Sequence, residues 1–341
     1  MEPVTHALAS LALARAAQKQ LPRYGTAMML AAGLAADLDY ASYFAGPESF
    51  LRFHRAVLHS IPGAILIAGA TAAVFCVIDR KRRNATSATS AIALNFVAAF
   101  VVSAVAAIGH VLLDLGSGVG VQLLWPFHVH LYAWNLVPNL DLWVLVVLLA
   151  GLLLPLLFRL VSEEIGDRAK RVRGRTAAVL VLAFVVAYLG VRAVLHSQAV
   201  DLLLSREYRG QVALSAGAFP VSSSPFDWRG VVVTDNTLEE LDLSVGPHQE
   251  FDPDRSLTHY KPDDSPALRA AQAADSTQLY LQYARFPLAR MARREDGYRF
   301  ELHDLQFASE NLPDNIFVRI DLDSGVQITS QEFLSALRPN P

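Results

Sequence analysis

Cysteine is nearly missing from this chain. Cys76 is the only one in 341 residues and it lies inside an apolar run, so no intrachain disulfide can form. Charge is scarce as well. Only 18% of residues are Asp, Glu, Lys or Arg, against about 25% in soluble proteins. The net charge of −3 gives no basic surface, which excludes a nucleic-acid partner. The stretch 116–141 carries no positive charge at all. A cleaved leader is not expected either. Glu2 stands where a signal peptide carries positive charge, and no A-x-A-like site follows the first apolar run. The N-terminus is read as retained.

What the chain has in plenty is apolar residues, 53% of the total, with a mean hydropathy of +0.31. Four runs, 61–78, 91–109, 142–158 and 176–191, approach the roughly 17–25 residues that a membrane span needs. The last falls slightly short unless Arg192 snorkels to the interface. Two shorter runs, 4–14 and 26–36, flank a basic turn broken by Pro22 and Gly25 and predict a helical hairpin.

Positive residues then orient the spans. Arg15, Lys19 and Arg23 lie at the hairpin turn. Arg80, Lys81, Arg82 and Arg83 follow the first long run, and Arg159, Arg168, Lys170, Arg171, Arg173 and Arg175 fill the loop before the last. The alternating loops hold only Arg52 and Arg55. The basic loops are therefore expected in the cytoplasm, with both termini outside.

From about residue 198 the composition turns polar. Residues 298–307 and 315–323 alternate apolar and polar residues, as half-buried strands do, and 230–237 reads as a strand entering a turn. The expected architecture is an all-α polytopic membrane core with four long helices plus the short N-terminal hairpin, over residues 1–197. A β-rich extracytoplasmic domain follows over 198–341.

On that topology the proton-active side chains gather at one face. His6 opens the hairpin and Asp37 and Asp39 close it. His54 and His59 precede the first long helix, and His110 and Asp114 follow the second. The orientation rule uses no histidine or aspartate, so the agreement is independent of it. His110 and Asp114, four apart, share a helix face and can chelate one ion. Asp37 and Asp39, two apart, suit an irregular segment. His54 and His59 both serve the site only if the backbone unwinds between them or if they bind different ions. These donors suit zinc first, with manganese as the alternative. The several carboxylates suit a site of two or more ions acting on a phosphoryl group. Arg55 could pair with a substrate phosphate, and His54 or His59 could protonate a leaving group.

Asp141 begins the third long helix on the same face and is read either as a fourth aspartate ligand or as a helix N-cap. His128 and His130 sit among Trp125, Phe127, Tyr132 and Trp134, as in an interfacial aromatic belt.

Four stretches, "MEPVTHALASLALARA", "DLD", "HRAVLHS" and "HVLLDLGSGVGVQLLWPF", resemble in order the motifs of the YdjM-type family of membrane-bound, metal-dependent hydrolases. The resemblance covers about the first 145 residues. It implies that His6, Asp37, Asp39, His54, His59, His110 and Asp114 are the metal-site candidates. That family has been grouped in turn with zinc-dependent phospholipase C and P1-type nucleases. Departures are Glu2, Ala36, Ala56, Leu58, Ser117 and Gly118, none of which is a candidate ligand.

The function expected is metal-dependent hydrolysis of a phosphoester, on a lipid or lipid-linked substrate, at the outer membrane surface. The alternative is a non-catalytic membrane protein, with a structural metal site and an external partner-binding or envelope-stress domain. A transporter is disfavoured because the ionisable residues gather at one face and not at mid-depth. Oligomeric state is not legible.

Overall fold

The computed structural model describes residues 1–85, 93–164, 174–247, 250–307 and 315–335. Arg168, Lys170, Arg171 and Arg173 of the basic loop, and the expected start of the second long run at Ala91, lie outside the described residues. The chain divides into two units. The first comprises 1–39, 55–128 and 132–192, and the second 40–54, 129–131 and 193–341.

The first unit is helical. Helices α1 (Pro3–Ala16) and α2 (Gly25–Leu34) form the predicted hairpin, and Ala36–Ala45 begins as a 3₁₀ stretch in this unit and continues into the second. A short α3 (Pro47–Phe53) belongs to the second unit. Then follow α4 (Ile61–Ala85), α5 (Phe96–Gly116), α6 (Leu142–Glu164) and α7 (Gly174–Leu204).

Ser60 starts α4. Its Oγ accepts the Gly63 N–H at 3.0 Å and donates to the Val57 carbonyl at 2.7 Å. Asn95 caps α5 by accepting from Ala98 N–H, and Asp141 caps α6 by accepting from Val144 N–H, both at 3.0 Å. Asp141 also accepts from the Tyr188 hydroxyl at 3.0 Å, so it has the capping role.

Small residues let the helices approach. Ala14, Ala32, Ala64, Ala106 and Ala107 share one buried cluster, filled in by Met29, Ile67 and Val111. Large apolar side chains face outward instead: Leu66, Val97, Leu180 and Val186 are 61–71% exposed. That inside-out pattern is stable only in lipid.

Among the described residues three helices, α4, α5 and α7, are long and apolar enough to cross a membrane, against the four expected. The apolar part of α6 among the described residues is Leu142–Phe158. Arg192 does not snorkel. It is buried and its Nε donates to the Leu136 carbonyl at 2.6 Å.

The second unit holds the strands. A two-stranded ribbon, β1 (Glu207–Tyr208) with β2 (Gln211–Val212), precedes an antiparallel sheet of order β3-β4-β5-β6. Its strands are Ser215–Pro220, Asp227–Val233, Thr237–Ser244 and Leu257–Tyr260. A second antiparallel sheet, of order β10-β9-β8-β7, uses Pro287–Arg294, Gly297–Asp304, Ile316–Asp323 and Ile328–Ser335 for β7 to β10. Burial along β9 alternates residue by residue, as its sequence pattern predicts. The region is not purely β. Helices α8 (Pro266–Ala273) and α9 (Asp275–Leu281) pack with Phe50 of α3 against the buried face of the second sheet.

Candidate metal centre

Five elements of the first unit converge at one end of its helices. His6 lies in the first turns of α1. Asp37 and Asp39 follow α2 in the 3₁₀ stretch. His59 stands two residues before α4, and His110 and Asp114 occupy the last two turns of α5. His6, His59, His110 and Asp114 are each at most 3% exposed.

The closest set is His59, His110 and Asp114. The two imidazole Nε2 atoms are 3.0 Å apart, and Oδ2 of Asp114 is 3.1 Å from each. Neither carboxylate contact has hydrogen-bond geometry. The proton on the His110 ring is set from behind. Nδ1 of His110 stands 2.8 Å from the Gly33 carbonyl, which can only accept, so that nitrogen donates and Nε2 presents a lone pair. Nδ1 of His59 lies 2.9 Å from Oδ2 of Asp39, a charge contact without hydrogen-bond geometry.

Lone pairs and a carboxylate brought within 3.1 Å repel one another unless a proton or a cation lies between them. Around tetrahedral zinc, nitrogen donors at about 2.0–2.1 Å are separated by about 3.3 Å. The observed spacing is close to that.

A second set overlaps the first. His6, Asp37 and His110 also bring donor atoms within reach of one ion. The His6 and His110 rings stack at 3.7 Å. Neither ring nitrogen of His6 has a hydrogen-bond partner among the described residues, although Nε2 is 3.4 Å from Asp114 Oδ1. Asp37 Oδ2 is likewise buried without a partner, and Oδ1 is 3.8 Å from His110 Nε2. Orphaned buried polar atoms of this kind cost stability unless something binds them. The residues therefore fit a divalent cation. His110 has spent Nδ1 on Gly33 and offers one donor atom, so it ligates one ion at a time.

Arg55 is buried behind Asp114. Its Nη1 donates to Ser117 Oγ at 3.0 Å and lies 3.5 Å from Asp114 Oδ1, while Nη2 donates to Asn139 Oδ1 at 3.0 Å. Its N–H donates to Asp39 Oδ2 at 2.7 Å, a reach made with φ at +56°. The Met1 amino group also donates to Asp114. The backbone does unwind between the two histidines, since α3 stops at Phe53 and His54 is extended. His54 falls in the second unit, with its ring 4.2 Å from Phe50 and 4.4 Å from Tyr40. It is in neither ligand set found among the described residues.

Burial disfavours the charged form of His59, yet the carboxylates of Asp114 and Asp39 outweigh it and raise its pKa to about 9. Burial raises that of Asp37. An ion at His59 Nε2 takes the place of a proton that is held below about pH 9. Metal affinity is therefore expected to rise about tenfold per pH unit across the neutral range, with about one proton released per ion from His59. Calorimetry in buffers of different ionisation enthalpy counts that proton.

Asp39→Asn keeps the side-chain shape but removes the charge facing His59. We expect metal affinity to fall about 10–100-fold with the fold retained. Competition against a chromophoric chelator measures this.

The partners that sequence reasoning missed are Gly33, Ser117 and Asn139. Gly33 acts through its carbonyl, which no side-chain pattern announces.

Helices that turn apolar side chains outward, around a buried histidine–aspartate cluster at one end, define a polytopic membrane-embedded protein with a candidate metal centre. The family model described as YdjM inner membrane protein matches residues 1–199, more than half of the chain, and the protein belongs to that family. No curated protein and no solved structure matches it.

Proposed function

We propose that this protein is a metal-dependent hydrolase acting on a phosphoester of a lipid or lipid-linked substrate. The reading rests on one observation, the convergence of His59, His110 and Asp114 within 3.1 Å, with His110 held from behind by the Gly33 carbonyl and His59 facing the Asp39 carboxylate. A divalent ion held there, zinc in our reading, supplies Lewis-acid chemistry, acidifying a water and polarising a phosphoryl oxygen. His59, His110 and Asp114 would hold it, with His6 and Asp37 at its margin. Asp39 and the Gly33 carbonyl orient the histidines. Arg55 steadies Asp114, and a substrate phosphate would have to take over one of its present bonds.

The lipid substrate follows from the position of the cluster, at the ends of membrane-length helices. In this reading the cluster and the C-terminal domain are extracytoplasmic, because Arg15, Arg23 and Arg80 to Arg83 lie at the other ends of α1, α2 and α4.

One observation favours a second reading. Ligand atoms this deeply buried resemble a closed structural site, and catalytic sites keep an open position. The margin toward the outside is at Asp37, beside Leu38, which is 71% exposed.

The test is phosphoester turnover by detergent-purified protein, loaded with zinc or manganese and offered phospholipid and lipid-diphosphate substrates. Turnover that is lost on chelation and restored by metal supports the hydrolase. Stoichiometric metal with no turnover on either substrate leaves the structural reading.

A further inference from the structure

The opposite end of the first unit carries a second buried carboxylate. Asp79 in α4 is 1% exposed. Its Oδ1 accepts from Arg23 Nη1 at 3.1 Å, and its Oδ2 accepts from Arg83 Nε and from Leu94 N–H, both at 3.0 Å. One carboxylate thus ties together the α1–α2 turn, the end of α4 and the approach to α5.

Its charge is outnumbered. Arg80, Lys81 and Arg82 stand in the same helix turns as Arg83. The guanidinium of Arg23 lies 5.0 Å from the centre of the Tyr24 ring and that of Arg82 lies 5.9 Å from it. Two cations are therefore gathered at one aromatic ring. The Tyr24 hydroxyl is buried with no hydrogen-bond partner among the described residues. An open cavity of about 380 Å³ lies nearby, lined by Gln18, Leu21, Pro22, Tyr24 and Thr26. Asp79 lies 18 residues along α4 from its first residue, which is about 27 Å of helix. A bilayer's hydrocarbon is about 30 Å thick. This cluster therefore belongs at the other membrane surface from the histidines. Val74 and Val77 in the later turns of α4 and Phe96 at the start of α5 are each at least half exposed.

We propose that Arg23, Arg82 and Tyr24 form a binding site for the headgroup of an anionic phospholipid. Each arginine offers a planar fork to phosphate oxygens, and the Tyr24 ring holds the two guanidinium groups side by side. Asp79 positions Arg23 without neutralising the set. The acyl chains would lie along Val74, Val77 and Phe96. This is distinct from the metal centre and needs no activity there.

The test uses the full-length protein in detergent, titrated with phosphatidylglycerol, phosphatidylcholine or inorganic phosphate. Native mass spectrometry counts retained lipid. Phosphatidylglycerol should be retained at least about fivefold better than phosphatidylcholine, and Arg23→Gln/Arg82→Gln should abolish the difference. Arg80→Gln/Lys81→Gln, which removes equal charge outside the ring, should keep most of it. Arg82→Gln alone leaves both arginine contacts to Asp79 in place and carries the test if the double variant does not fold. Equal retention of the two lipids overturns the proposal, as does unchanged selectivity in Arg82→Gln. Equal loss in the two double variants would mean diffuse attraction only, and displacement of the lipid by millimolar phosphate would mean a phosphate site; either overturns it too.

Discussion

Replacing His110 with alanine should strip the protein of divalent metal. His110 belongs to both ligand sets, so among the described residues no alternative triad survives its loss. Detergent-purified wild type is expected to carry zinc or manganese near one equivalent by mass spectrometry. The variant should lose more affinity than the roughly 10–100-fold of a change behind the ligands. Asp114→Ala should remove the metal as well, but it also leaves Arg55 buried without its carboxylate. Breaking a buried pair in that way costs about 3–5 kcal/mol, so its melting temperature should drop sharply. The contrast separates the two roles. A His110→Ala protein that still binds metal like the wild type would show that the cluster is not a metal centre.

Gly63→Ala should be nearly as damaging, although Gly63 touches no ligand. A Cβ there would meet the Val57 carbonyl oxygen at 2.0 Å and the Leu58 Cα at 2.9 Å. Both are backbone atoms, and the chain cannot yield at 57–58 without moving His59. Overpacking of this kind costs about 1–3 kcal/mol, and metal affinity should fall with it. Gly69→Ala, in the same helix, meets nothing within 4 Å. It should be neutral or slightly stabilising, since alanine outranks glycine in helices by about 1 kcal/mol. Thermal unfolding of both variants, followed with metal present and absent, gives the comparison. Equal melting temperatures for the two would show that the α4 start does not position His59.

Much of this was legible beforehand because lipid imposes a simple rule. A backbone in hydrocarbon must satisfy its own hydrogen bonds, so length and hydropathy mark helices directly. The hairpin at 4–14 and 26–36 and the strands at 298–307 and 315–323 were readable for that reason, or from their alternation. The accommodation of Arg192 was not, because its partner is the Leu136 carbonyl, far away in the chain. Helices α8 and α9 were hidden because they are short and lie among strands.

Spacing and loop position alone brought His6, Asp37, His59, His110 and Asp114 to one end of the helices. Those are one-dimensional quantities, set by helix rise and by which side of the membrane each loop occupies. What each residue does there was decided only in three dimensions. Asp37 and Asp39 are two positions apart, yet Asp37 joins a ligand set and Asp39 stands behind His59. His54 and His59 share one motif, yet they fall in different units. Arg55 looks like a phosphate partner in sequence and is held by Ser117, Asn139 and Asp114 in the fold. Ligation turns on separations of a few tenths of an ångström and on which nitrogen carries the proton. Both are fixed by contacts between residues as far apart in the chain as Gly33 and His110, and no local pattern encodes them.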